Sequence, residues 1–313
     1  MRILVIGAGA TGGYFGGRLL EAGRDVTFLV RARRAAELAE AGLVIKSSSG
    51  DVTLRKPPTV LAGQLHTSFD LVLLSCKAYD LADAIESFAP AIGPGTAILP
   101  LLNGMRHLDL LDQRFGAERV LGGQCVIAAT LDDQRAVVRL GENHELTYGE
   151  RDGSDSDRVR SIAGQMAGAR FNARTTGQIV QQMWEKWVFI ASAAGSTCLM
   201  RAAVGDIAKA PGGRAIVLGL LEECGNIARA NGHPPGDAAV ERSRAVLTAA
   251  DSLLTASMLR DIERRAPIEA DHIVGDLLTR AAPRPDPGPV SLLQVVYAHL
   301  KAYEARQQRT SAG

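Results

Sequence analysis

The chain opens on an apolar run, Met1-Arg2-Ile3-Leu4-Val5-Ile6, that stops abruptly at Gly7-Ala8-Gly9-Ala10-Thr11-Gly12. The β-branched run predicts a buried strand, and residues 12–22 carry helical spacing. Glycines spaced G-x-G-x-x-G between a strand and a helix meet three separate demands. Gly7 allows the tight turn, Gly9 lets a ligand come close to the backbone, and Gly12 lets the helix pack near the strand. The free N–H groups at the start of the helix then favour an anion such as a pyrophosphate. In a chain with 33 glycines the hexapeptide alone would mean little. The strand before it, the helix after it and a second strand over 25–30 give it weight.

The alternation continues along the chain. Strand-like runs at 3–6, 25–30, 71–74 and 96–101 are separated by helical spacing at 12–22, 32–40, 81–88 and 107–114. That order predicts a parallel sheet with right-handed crossovers, an α/β Rossmann-type domain. Further strands at 120–130, 137–140 and 146–149 are expected to form hairpins that finish this sheet. The polar stretch 151–157 reads as a loop, and the helix after it is expected to pack on the same sheet. From Gln178 the strand signal stops. Residues 178–199, 212–230, 237–249, 257–265, 268–281 and 290–306 all read as helices, punctuated by Gly232, Pro234-Pro235, Pro267 and the proline-rich stretch 283–289. The expected division is a dinucleotide-binding domain over 1–177 and an all-helical domain over 178–313.

Several function classes are excluded. A net charge of +1, with no basic tail or stripe, gives no field to hold a nucleic acid. The first apolar run is too short for a signal peptide, and the stretch 187–200 is too short and too interrupted to span a membrane. The histidines show no metal-binding spacing, so no metal site is expected. Cys76, Cys125, Cys198 and Cys224 form no C-x-x-C pair and read as reduced thiols of a cytoplasmic protein.

The end of the second strand selects the cofactor. NAD-binding folds carry an acidic residue there for the ribose hydroxyls. Here Phe28-Leu29-Val30 runs into Arg31-Ala32-Arg33-Arg34. Cations without a carboxylate suit the 2′-phosphate of NADP, with Arg31 the leading candidate. Lys77 and Asn103 fall just past the ends of the third and fourth strands, where open α/β sheets bind ligands. Lys186 stands inside an apolar helical run, Trp184 to Ile190, either snorkelling to the surface or held in a cleft. Glu269 follows Pro267 and is expected in the first turn of a helix.

The sequence resembles the ketopantoate reductases (2-dehydropantoate 2-reductases) over nearly its whole length. The resemblance rests on the glycine fingerprint with Arg31, Lys77-Ala78-Tyr79, Asn103-Gly104-Met105, Trp184-Glu185-Lys186, and Ser257 to Ile262 twelve residues before Glu269. It implies NADPH on the first domain, held by Gly7, Ala8, Gly9, Ala10, Thr11, Gly12, Arg31, Lys77 and Asn103. It implies Lys186 as the catalytic lysine that donates a proton to the substrate carbonyl, Glu269 as its partner, and Asn103, Lys186 and Ser257 as substrate ligands. The reaction implied is reduction of a small 2-oxo acid, as in pantothenate biosynthesis, and the helical domain could also serve a homodimer.

The pattern departs from the family at three places. Where ketopantoate-reducing members usually carry asparagine, four and eight residues after the lysine and three before the serine, this chain has Ile190, Ala194 and Leu254. A site without those amides cannot strongly select a hydroxylated substrate. Three readings therefore stay open: a ketopantoate reductase proper, a related NADP-dependent oxidoreductase of a more hydrophobic 2-oxo or 2-hydroxy acid, and a non-catalytic NADP-binding sensor.

Overall fold

The computed structural model describes residues 1–282 and 289–311, so all but the last residue of the proline-rich stretch lies outside the described residues. The chain divides into two compact units, Met1–Leu102 with His107–Val180, and Asn103–Arg106 with Gln181–Gly313.

The first unit contains the parallel sheet. Its strands are β1 (Arg2–Ile6), β2 (Asp25–Leu29), β5 (Thr59–Val60), β6 (Phe69–Leu74) and β7 (Ile92–Pro100), in spatial order β5-β2-β1-β6-β7. The central strands are apolar without alternation because both sheet faces are covered. Ile3, Leu4 and Val5 of β1 and Leu71, Val72, Leu73 and Leu74 of β6 have no exposed surface.

The later strands correct an expectation. They do not finish the parallel sheet but build a second one. In it β8 (Gly122–Leu131) and β9 (Val137–Gly149) form a long antiparallel hairpin, and β9 also pairs with β3 (Leu43–Lys46) and β10 (Asn172–Thr175). A short strand, β4 (Val52–Leu54), closes the edge against β3. The hairpin turn is set by Asp132, whose Oδ1 accepts from the backbone N–H groups of Gln134 (3.0 Å) and Ala136 (2.9 Å). The helix α5 (Asp157–Met166) packs against β10 of this second sheet rather than on the first.

Helix α1 (Ala10–Glu21) contacts strands of both sheets, and its glycines explain how it fits. A Cβ on Gly16 would stand 2.7 Å from the Phe28 ring and 2.9 Å from Val5. A Cβ on Gly17 would stand 2.6 Å from Ile45 on the other side. Each helical glycine costs roughly 1 kcal/mol of helix propensity, which the close packing on two faces offsets.

The second unit is helical. Its main elements are α6 (Ile179–Met200), α7 (Val204–Lys209), α8 (Gly213–Ala230), α9 (Asp237–Leu247), α10 (Ser257–Glu263), α11 (Asp276–Thr279) and α12 (Leu292–Ser311). The segment expected as one helix over 268–281 is continuously helical over 270–279, with a π-turn, Asp271–Gly275, running into α11. Glu269 precedes this helical segment rather than lying in its first turn, because helical geometry begins only at Ala270. Glu223 helps hold the fold: its Oε2 accepts from the Leu293 N–H (3.1 Å) at the start of α12. Among the described residues no helix is long and apolar enough to cross a membrane.

Candidate active site

Four parallel strands end on one row. Ile6 is level with Leu29 of β2 and Leu74 of β6, and Leu74 is level with Pro100 of β7. The chain leaves that row at Gly7 after β1, towards Arg31 after β2, towards Lys77 after β6 and towards Asn103 after β7. This carboxyl edge is where open α/β sheets hold ligands.

The glycine turn is built as its spacing requires. Gly7 has φ of +90° and donates to the Leu29 carbonyl at 2.9 Å, tying the turn to the end of β2. A Cβ on Gly9 would meet nothing within 4 Å, so the backbone beside it is open to a ligand. A Cβ on Gly12 would stand 2.1 Å from Ser75 Oγ and 2.3 Å from the Gly7 carbonyl, so that position is sealed. Ser75 Oγ in turn donates to the Ile6 carbonyl at 2.8 Å. Ala10 and Thr11 open α1, and no acidic residue stands in its first turn to repel an anion. The cradle thus fits a dinucleotide pyrophosphate: one face is closed against the strands and the other is open.

The cations after β2 are in place but engaged. Arg31 stands at the N-cap position of α2 (Ala32–Ala41), largely exposed, and its Nη2 donates to Asp80 Oδ1 at 2.6 Å. The hydrogen bond and charge of Asp80 raise the Arg31 pKa further above its usual value. Arg33 and Arg34 both pair with Glu37, at 3.1 and 3.0 Å, and Arg34 Nε also donates to the Ala8 carbonyl in the glycine turn (3.1 Å). The carboxylate missing from the end of β2 is therefore present in space. Asp80 comes from the loop after Lys77, where sequence separation hid it. Lys77 itself is half-buried at the start of that loop.

The helical unit carries the remaining candidates. Lys186 is half-buried in α6, beside fully buried Trp187. The Trp187 Nε1–H donates to the Ile273 carbonyl in the π-turn at 2.8 Å, and the Ile273 N–H donates to the Glu269 carbonyl at 3.0 Å. Two hydrogen bonds thus tie the residue after Lys186 to Glu269, which is half-buried. The π-turn also carries the Asn103-Gly104 turn. Gly104 has φ of +78°, and a Cβ there would stand 2.7 Å from the His272 carbonyl oxygen. Only glycine lets Asn103 be presented this close to the π-turn. His272 is buried, and burial, reinforced by Arg106 and Arg280, pushes its pKa down to about 4, so it is neutral near pH 7. Sequence spacing gave no sign of the π-turn, although such turns recur at functional sites.

Ser257 is exposed at the first position of α10. The preceding residue, Ala256, donates through its N–H to Thr197 Oγ1 on α6 at 3.4 Å. Lys186, Ile190, Ala193, Ala194 and Thr197 follow the i, i+4, i+7, i+8, i+11 spacing of one helix face, so α6 presents a stripe from Lys186 towards the Ser257 loop. The stripe is apolar at Ile190 and at Ala194, which is buried. The buried hydroxyls of Ser192, Ser196 and Thr197 donate back to Val188, Ser192 and Ala193 carbonyls at 2.8, 2.8 and 2.6 Å, leaving those donors committed to the helix. Leu254, the third departure, is exposed. A separate pocket of about 510 Å³ in this unit is lined by Glu185, Leu221, Arg229 and Val240 among others, and by none of Lys186, Ser257 or Glu269.

A glycine cradle at the carboxyl edge of a parallel sheet, followed by a helical unit, defines the chain as a Rossmann-type α/β protein with a helical C-terminal portion. Comparison with known proteins narrows this. Residues 3–153 match the family described as ketopantoate reductase PanE/ApbA, and residues 178–304 match its C-terminal family. A Bacillus subtilis protein named uncharacterized oxidoreductase YkpB is 38% identical over 307 residues, covering 98% of this chain and all of the relative. The crystal structure of 2-dehydropantoate 2-reductase from Geobacter metallireducens superposes with a TM-score of 0.85 at 28% identity, covering 96% of this chain and 99% of that one. The ternary structure of D-mandelate dehydrogenase with NADH and anilino(oxo)acetate shares the fold, with a TM-score of 0.85 at 21% identity, covering 98% of this chain and all of that one. The chain belongs to the ketopantoate reductase family, and is an oxidoreductase acting on a CH–OH group.

Proposed function

We propose that the protein reduces a 2-oxo acid to its 2-hydroxy acid with NADPH, in the manner of a 2-dehydropantoate 2-reductase, with Lys186 as general acid. The observation that carries this reading is Lys186 itself, half-buried beside a fully buried tryptophan that is hydrogen-bonded to the turn following Glu269. A lysine held in such a setting is placed for chemistry on an oxygen that gains charge. In this reading residues 1–177 carry the dinucleotide on Gly7, Ala8, Gly9, Ala10, Thr11, Gly12, Arg31, Lys77 and Asn103, and residues 178–313 carry the substrate.

The bound dinucleotide supplies a hydride to the carbonyl carbon. Lys186, as the ammonium ion, hydrogen-bonds the carbonyl oxygen and gives it a proton as negative charge develops there. The lysine then regains a proton from solvent. Glu269 keeps the ammonium oriented, and Ser257 holds the substrate carboxylate. Asn103 would hold the nicotinamide end of the dinucleotide.

Arg31 is the proposed ligand of the 2′-phosphate. Arg31→Ala is expected to weaken NADPH about tenfold or more, the worth of one charge-assisted hydrogen bond, while NADH changes little. Parallel titrations of the two nucleotides measure this; equal losses would remove Arg31 from the discriminating role.

The α6 stripe favours a second reading, that the preferred substrate is more apolar than ketopantoate. Ile190 and Ala194 offer no donor to a substrate hydroxyl. An unhydroxylated branched 2-oxo acid is therefore expected to show a kcat/KM at least comparable to that of ketopantoate. A preference for ketopantoate of roughly a thousandfold would mean that other polar groups read the hydroxyl.

A further inference from the structure

The Arg31–Asp80 pair has a consequence for cofactor choice, one that rests on the nucleotide reading above. The guanidinium proposed to receive the 2′-phosphate already donates to a carboxylate at 2.6 Å. Arg31 is the N-cap residue of α2 and Asp80 that of α3 (Leu81–Phe88), so both belong to turns just past the carboxyl ends of strands of the same parallel sheet, in the same unit. The Asp80 side chain makes no capping hydrogen bond to its own helix, which leaves its carboxylate directed to Arg31. The neighbouring cations Arg33, Arg34 and Arg135 share the single carboxylate of Glu37, so that cluster keeps net positive charge, but its ion pairs are with Glu37 and leave Asp80 to Arg31.

We propose that Asp80 is a specificity-determining residue: it supplies from the β6–α3 loop the carboxylate that β2 lacks, and so moderates the preference for NADPH over NADH. Two physical effects act in the same direction. A 2′-phosphate bound to Arg31 must take the guanidinium from Asp80 or share it, and in either case its charge of nearly −2 lies within a few ångströms of a carboxylate. A ribose 2′-hydroxyl meets no such repulsion and can donate to the Asp80 oxygen. The acid and base of the pair thus suit different cofactors: Arg31 the phosphate, Asp80 the hydroxyl. Because Arg31 is 75% exposed at its side chain and Asp80 33%, solvent screens the pair and the effect is moderate.

The test is nucleotide binding to the full-length protein, followed by cofactor fluorescence, for wild type, Asp80→Asn and Asp80→Glu. Asp80→Asn keeps the size and removes the charge at a partly exposed helix N-cap, where asparagine is as well suited as aspartate, so the fold is not at issue. It is expected to tighten NADPH about tenfold, the scale of removing one charge about 5 Å from a near-divalent phosphate in water. NADH should weaken or stay unchanged, so the ratio of the two dissociation constants moves towards NADPH. Asp80→Glu should keep the wild-type ratio. An Asp80→Asn protein that binds both nucleotides with the wild-type ratio, or that loses NADPH, overturns the role of Asp80 and leaves the nucleotide reading intact. Wild type and variant that bind neither nucleotide overturn both.

Discussion

Lys186→Ala is expected to lower kcat for 2-oxo acid reduction by about 10²–10⁴, the scale of removing a general acid. The loss arises because hydride arrival leaves charge on the carbonyl oxygen, and the alanine variant offers neither a cation nor a proton there. Lys186 lies in the helical unit while the glycine cradle and Arg31 lie in the other, so NADPH affinity should stay near the wild-type value. Single-turnover reduction beside a nucleotide titration separates the two effects. Near-normal turnover would remove Lys186 as the acid, and lost NADPH binding in a folded variant would make it a cofactor ligand instead. Arginine should not rescue, because its proton is too tightly held to transfer.

Trp187→Ala carries the second large expectation, a loss of about 3–5 kcal/mol in unfolding free energy. The Trp187 side chain has no exposed surface, its ring lies 5.0 Å from that of Trp184, and Arg280 sits 5.7 Å from its centroid. Its Nε1–H is also the partner of the Ile273 carbonyl. Trp187→Phe separates packing from this bond. It keeps an aromatic ring but leaves a carbonyl of the π-turn without its indole donor, at a cost of about 1–3 kcal/mol. Because that turn follows Glu269 and supports Gly104, kcat should fall in the phenylalanine variant with little change in NADPH affinity. Urea denaturation midpoints and kinetics on the same samples check this; a destabilised variant with full turnover would confine Trp187 to the core.

What the sequence could convey followed physical rules. The glycine cradle was legible because strand, turn and helix are local and each glycine answers one steric demand. The paired glycines Gly12-Gly13 and Gly16-Gly17 also record a helix packed closely on two sides. The second sheet was not legible because β9 does not alternate through its middle. Leu140, Glu142 and Asn143 are exposed, so one strand reads as two short ones with a turn between. The strands β3, β4 and β5, of two to four residues, are too short for periodicity to register. In the helical unit Lys186 and Glu269 stood out only through resemblance to a family, since a lysine in an apolar helix and an acid after a proline have common structural explanations. The Arg31–Asp80 pair spans 49 residues, and the π-turn has no sequence signature; both needed three dimensions.

The proposed reduction is tested most directly by mixing the purified protein with NADPH and a panel of 2-oxo acids, ketopantoate and its unhydroxylated branched analogues included, and following NADPH consumption with product analysis. The expected result is stoichiometric conversion of at least one branched 2-oxo acid to its 2-hydroxy acid, slowed about 10²–10⁴-fold in Lys186→Ala. Tight NADPH binding without oxidation by any 2-oxo acid of the panel would contradict the proposal and leave a dinucleotide-binding protein whose half-buried lysine has no substrate to protonate.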